Sequence, residues 1–464
     1  MGVAISNWRL VKANSMEGRL GVVSGTGLGI IMISRLMDGD IGGHVRRALH
    51  HFPFQDAVRR ILDSYFESNP SSSKPHYKRP SMWNLKPSRT LNELTVIANF
   101  TEVFLAKEGH KNPVGINLLE KIQMPTMASL YGAMLAGVNF VIMGAGIPVQ
   151  VPGICEKLVD HQEVSYRLDV QGADRNDDYR IHFNPKEVFP GIAEKTGPLT
   201  RPRFLPIVSS VVLAKALLKR ATGKIDGFVI EAPTAGGHNA PPRGQVQMSE
   251  NGEPIYGEKD RIDLNEIKSL GLPFWLAGGY DNPGKLKEAL DAGAAGIQVG
   301  TAFAYCSESG MDETFRKKVV QGVLEERINV RTDPLVSPTG FPFKVVQMEG
   351  TLSDPVVYAQ RPRLCDIGML RQLYKREDGT IGFRCAAEPE ADYVAKGGKA
   401  EDTIGKNCLC NSLSACAGFP QRRKDGYVEP PVITAGNALV DIRKFIKPGA
   451  KSYSAKDVHD YLNG

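Results

Sequence analysis

What most constrains this chain is a recurring unit: a short apolar run that ends in glycine or a polar residue, followed by a helical stretch. The runs are Pro113–Asn117, Asn139–Met143, Arg203–Val208, Asp226–Ile230, Pro273–Ala277 and Ala295–Val299. Helix-like stretches follow at Thr126–Ala136, Ser209–Arg220 and Pro283–Ala292. Strands that are apolar throughout are covered on both faces, which points to a parallel sheet flanked by helices. A (β/α)8 barrel and a doubly wound sheet both satisfy this pattern. The 48 glycines separate them. They recur just after the strand runs, which in a barrel is the rim that carries the site. A dinucleotide-binding sheet asks for Gly-x-Gly-x-x-Gly after its first strand. The nearest match, Gly25, Gly27 and Gly29, has its third glycine one position early. The expected class is therefore α/β: a (β/α)8 TIM barrel over residues 1–342. Insertions are expected at about 37–110, which is helical and basic, and at 160–202. A Ser/Pro linker is expected at Ser68–Pro75, and a cysteine-containing C-terminal extension over 343–464.

Charge and hydropathy exclude several function classes. Lys+Arg 57 against Asp+Glu 51 leaves +6 over 464 residues, too little to mark a nucleic-acid partner. No apolar run approaches the roughly 18 residues of a membrane span. Met1, Gly2, Val3 and Ala4 open the chain with neither a basic n-region nor an apolar h-region. A cytoplasmic, reduced protein is expected. The stretch Gly43–Arg60 gathers Arg46, Arg47, Arg59 and Arg60 with His44, His50 and His51. It reads as a solvated helix face or as a docking patch for an acidic partner.

Two stretches carry chemistry. In Gly227–Gly244 an apolar strand runs into Gly236, Gly237 and His238. The glycines let backbone approach a ligand closely, and the histidine is placed at the rim to act as general base. In Trp275–Ser309, Gly278 and Gly279 end one strand, and Gly300 and Thr301 end the next. Consecutive turns of this kind, late in a barrel, form a recurrent phosphate site. A third constellation lies in the extension: Cys365, Cys385, Cys408 and Cys410, with Cys416 nearby. A Cys-x-Cys pair can share a metal or cluster, but the spacing fits no standard pattern. Inert thiols, an iron–sulfur cluster and zinc all stay open.

Taken in order, these motifs resemble the nitronate monooxygenase (2-nitropropane dioxygenase-like) family, from Met1 to about Pro342. Met1, Gly2 and Val3 look like the end of its first-strand motif, so further residues upstream are expected. Val114–Asn117, Ile207–Ser210, Ala235–His238, Leu276–Gly279 and Gln298–Phe303 resemble later strands. Phe303–Gly310 is similar to a long branch that includes trans-acting enoyl reductases of polyunsaturated-fatty-acid and polyketide synthases. The resemblance implies FMN, with its phosphate at Gly278, Gly279, Gly300 and Thr301. It puts the flavin ring near Met1, Gly2 and Asn117, beside Gly236 and Gly237. It makes His238 the catalytic base toward a nitronate or similar acidic C–H compound, with oxygen as electron acceptor. Glu231–His238 is three residues longer than the family's motif, which puts that substrate in doubt. An FMN-dependent enoyl reductase acting on carrier-bound acyl chains is the alternative, with an acyl carrier protein or an electron donor as partner. A third reading is a flavin or iron–sulfur electron-transfer protein without turnover. Arg331–Asp333 and Ser337–Pro342 resemble a segment after the barrel, near the flavin edge.

Overall fold

The computed structural model describes residues 2–70 and 77–464. Met1 and most of the expected Ser/Pro linker lie outside the described residues. Seven strands form one sheet: β1 (Gly21–Ser24), β2 (Val114–Leu119), β3 (Phe140–Gly144), β4 (Arg203–Val208), β5 (Phe228–Glu231), β6 (Phe274–Ala277) and β7 (Gly296–Gln298). Every pairing is parallel, and every strand pairs only with its neighbours in this series. A doubly wound sheet reverses its strand order at a switch point, and this sheet has none. Alternate residues explain why the runs are apolar throughout. Ile142, Leu205, Val229 and Ala277 pack inside the curved sheet with Val22, Phe140, Ile207 and Trp275. Val23, Val141, Phe204 and Phe228 pack into the core under the helices. β1 and β7 have one strand neighbour each, so the described strands make an open, barrel-like sheet and not the closed eight-stranded ring.

The expected 37–110 insertion is only partly a loop-out. Helix Arg89–Lys107, capped by Ser88 Oγ on the Leu91 N–H at 3.2 Å, is buried along nearly its whole length. It is the helix that leads into β2, against Thr126–Leu135. Gly132 makes that contact possible: a Cβ there would stand 2.1 Å from the Val96 carbonyl oxygen. Buried Glu102 ties this helix to two others. It pairs with Arg35 of Leu28–Met37 and accepts the Trp8 N–H at 2.8 Å. In the basic stretch, Arg46 pairs with Asp40 at 3.1 Å, Arg47 with Glu108 at 2.8 Å and Arg60 with Glu93 at 2.7 Å. Arg59 reaches Asp56 at 4.0 Å. Each of these four cations pairs with one of the chain's own carboxylates.

Residues 160–202 supply an antiparallel pair, Val164–Arg167 with Arg180–Phe183, and a short strand Val170–Gln171. Beyond β7, strands β8 (Asn329–Asp333) and β9 (Phe343–Gln347) pair antiparallel, as do β10 (Gln372–Lys375) and β11 (Ile381–Arg384). β10 also pairs in parallel with Val170–Gln171, so this loop and the C-terminal region share a sheet. The last helix, Ala455–Asn463, returns to the first, Trp8–Met16, through His459 Nε2 and Asn14 Oδ1 at 2.8 Å. Among the described residues no helix is long and apolar enough to cross a membrane. Gly132→Val is expected to force the two buried helices apart and cost about 3 kcal/mol or more. Urea unfolding followed by far-ultraviolet circular dichroism checks this as a lowered midpoint.

Candidate active site

β5 ends at Glu231, and the loop after it carries Gly236, Gly237 and His238 between two passes of the C-terminal region. On one side the Lys344 N–H donates to the Gly237 carbonyl at 2.9 Å. On the other, the Gly237 N–H donates to Thr434 Oγ1 at 3.0 Å. Gly236 and Gly436 meet backbone to backbone. A Cβ on Gly236 would lie 2.8 Å from the Gly436 nitrogen, and one on Gly436 would lie 2.7 Å from the Thr234 carbonyl oxygen. Neither position has room for a side chain.

His238 sits edge-on to the Phe343 ring at 4.8 Å. Its Nε2 is 2.7 Å from Ser337 Oγ, which is 2.8 Å from Thr339 Oγ1. Thr339 Oγ1 in turn accepts from Lys121 Nζ at 3.1 Å, and that ammonium stands 3.1 Å from the centre of the Phe341 ring. A polar chain thus runs from the imidazole to a buried lysine. Burial, with Lys121 adding to it, pushes the His238 pKa down to about 3. Burial also pushes Lys121 down to about 7, and the Glu231 carboxyl up to about 7. The imidazole is therefore neutral at physiological pH, the form that can accept a proton.

Two cavities meet at this loop. The smaller, of about 100 Å³, is lined by Asn117, Ala145, His238 and Cys410 among others. The larger, of about 560 Å³, reaches into the sheet interior at Val22, Leu205 and Trp275. It carries Gly278, Gly279, Gly300 and Thr301 on its wall. Gly2, Glu231, Gly236, Gly237, Gln298 and Thr434 line both. All the residues singled out in the barrel region converge here except Met1, which lies outside the described residues. Gly278 and Gly279 have φ of +94° and +77°, the left-handed turn that brings backbone to the cavity edge. Thr301 Oγ1 accepts the Gly436 N–H at 2.8 Å, so the C-terminal region closes the rim. The sequence did not single out Lys121, Thr434 or Gly436. Lys121 belongs to no periodic pattern, whereas the small residues of Thr434–Gly436 hinted at a close backbone approach.

Four of the five cysteines of the extension also gather. Cys385 and Cys408 are buried together, with Cys410 packed on them. Cys410 hydrogen-bonds Cys408 and holds its thiol low, at about 7, while burial pushes Cys365 up to about 11 with Cys408 adding to it. Among the described residues, no three His, Cys, Asp or Glu side chains are placed to hold a metal ion. This placement does not support a zinc site. Cys155, Cys306 and Cys416 lie apart, in the two main cores.

Lys121 gives a pH test. Its pKa is about 7 folded against 10.5 unperturbed, so between these values the unfolded chain binds more proton. The burial penalty is full below neutral pH and fades as pH rises toward 10.5. Lys121→Met is expected to stabilise by about 1–3 kcal/mol near neutral pH. Urea midpoints of both proteins, measured across the alkaline range, should converge as pH rises.

The sequence model of the family described as nitronate monooxygenase matches residues 158–333. A 5-hydroxy-7a-methyl-1-oxo-octahydro-1H-indene-4-carboxyl-CoA dehydrogenase of Mycobacterium tuberculosis is 26% identical over 144 residues. That match covers 31% of this chain and 36% of the relative. A probable nitronate monooxygenase of Bacillus subtilis is 32% identical over 115 residues, 25% of this chain and 31% of the relative. The matched segments thus span about a third of these relatives. The solved structure of FabK from Thermotoga maritima superposes with TM-score 0.46 at 13% identity, covering 99% of this chain and 88% of that one. Residues 158–333, the segment similar to the nitronate monooxygenase family, hold Glu231, His238, Gly278, Gly279, Gly300 and Thr301.

Proposed function

We propose that this chain is an FMN-dependent oxidoreductase on a (β/α)8 scaffold, acting on a nitronate or similar small compound with an acidic C–H bond. One observation carries the reading: the glycine rim and the neutral His238 open on cavities that meet at Glu231, Gly236 and Gly237. The larger cavity, about 560 Å³, is of the size that takes a cofactor. The backbone of Gly278, Gly279 and Gly300, with Thr301, would hold the phosphate. Gly2, Asn117, Gly236 and Gly237 would border the ring. The closed barrel belongs to this reading, because β1 and β7 both border that cavity through Val22 and Ile297.

When bound, FMN supplies the redox chemistry. The chain's own part is to position and deprotonate. In the tautomer in which Nε2 donates to Ser337, Nδ1 carries the lone pair that takes the substrate proton. Among the described residues Nδ1 has no hydrogen-bond partner. Ser337 and Thr339 fix the ring plane and connect it to Lys121. Phe343 shields one edge from water.

A second reading, reduction of the double bond of a carrier-bound enoyl chain, draws on the apolar depth of the larger cavity, where Leu10, Leu286 and Leu290 join the wall. Assays separate the two. Nitronate-dependent oxygen uptake, lowered about 10²–10⁴-fold in kcat/KM by His238→Ala with FMN retained, is expected under the first. Turnover of enoyl thioesters with no nitronate-dependent oxygen uptake would replace it by the second.

A further inference from the structure

We propose that Cys365, Cys385, Cys408 and Cys410 ligate a four-iron iron–sulfur cluster in the wall of the smaller cavity. The four side chains come from separate stretches: the loop after helix Pro355–Gln360, the end of β11, and the start of helix Leu409–Cys416. Separate stretches do not bring four thiols together by local geometry. Yet Cys385, Cys408 and Cys410 share one packed cluster, and Cys365 lies within electrostatic reach of Cys408 and Cys385. The remaining three cysteines are excluded from it, so the gathering is selective.

Cations surround the thiols. Arg371 faces Cys365, Cys385 and Cys410, while Arg361 and Arg79 face Cys408. Burying guanidinium groups beside neutral thiols is unfavourable, because S–H returns little for the lost hydration. The guanidiniums are also incompletely used. Arg361 Nη2 is buried without a hydrogen-bond partner, as are Nε and Nη1 of Arg79. Arg361 pairs with Glu429 through Nε at 2.7 Å, and Arg79 lies 3.9 Å from Asp366, so what stays unmet is their remaining N–H groups. A cluster held by four thiolates carries net negative charge, and its sulfurs accept N–H bonds. It supplies acceptors for the unpartnered N–H groups of Arg361 and Arg79. Asn411 Nδ2 already points at Cys408 Sγ at 3.6 Å.

Among the described residues, no three of these side chains are placed to hold a single metal ion. A cube places its own iron and sulfide between its ligands, and so asks for thiolates farther apart than one metal does. Cys410 lines the same cavity as His238, which puts the cluster beside the proposed flavin ring. Only this last relation rests on the FMN reading.

The test is the iron and acid-labile sulfide content of the full chain, purified anaerobically or reconstituted with ferrous iron and sulfide. FMN is measured separately, so failure of one assignment is distinct from failure of the other. About four iron and four sulfide per chain are expected, with an electron paramagnetic resonance signal on dithionite reduction. Cys385→Ser and Cys408→Ser should each lower bound iron about tenfold or more, while Cys155→Ala leaves it unchanged. Wild-type chain that binds no iron and sulfide, that binds zinc at one per chain, or that keeps its iron in Cys385→Ser, overturns the proposal. The wild-type measurement decides even where a serine variant does not fold.

Discussion

The site depends on the confinement of the loop after β5 between two strands of C-terminal chain. Lys344 holds it from one side and Thr434 from the other, both through the backbone of Gly237. Gly436 then bridges to Thr301 at the end of β7, so neighbouring rims are tied by chain that lies outside the sheet. The absence of side chains at Gly236 and Gly436 is what allows backbone to meet backbone there. A strand end on a parallel sheet is otherwise a loop free to move, whereas here the loop that bears His238 is held on both sides by backbone hydrogen bonds. Preorganisation of this kind removes an ordering cost from the reacting state.

Electrostatics follow from the same confinement. His238 and Lys121 are both bases in a poorly hydrated setting, and the Lys121 ammonium disfavours a charge on His238. Burial pushes both pKa values down, and Ser337 and Thr339 keep the two groups connected. The result is a neutral imidazole backed by a lysine that titrates near neutrality. In the extension, guanidinium groups with unpartnered N–H atoms stand beside sulfur. The two regions share the smaller cavity, at whose wall His238 and Cys410 both stand.

Much of the parallel sheet was legible in the sequence, because strands covered on both faces must be apolar throughout. Arg203–Val208 coincides with β4, and the other runs differ from their strands by a residue or two. The rim glycines were legible for the same reason, since a strand end marks their place. Helix Arg89–Lys107 was not. Its buried Asn99, Thr101 and Glu102 give it the look of a surface segment, and only the tertiary partners Arg35 and Trp8 explain the glutamate. Lys121, Thr434 and Gly436 were hidden because their role comes from contacts across long stretches of chain. The cysteines fall between these cases. Their number suggested a shared site, but only the fold shows that four meet while three do not.

The bridge from Gly436 to Thr301 also orders events in time. Synthesis proceeds from the N-terminus, so all seven strands of the large sheet are complete well before Thr434–Gly436 emerges from the ribosome. Until then the loop bearing His238 lacks one of its two walls, and the rim at Thr301 lacks its clasp. A chain synthesised only to that point therefore has every strand of the large sheet but an unfinished pocket.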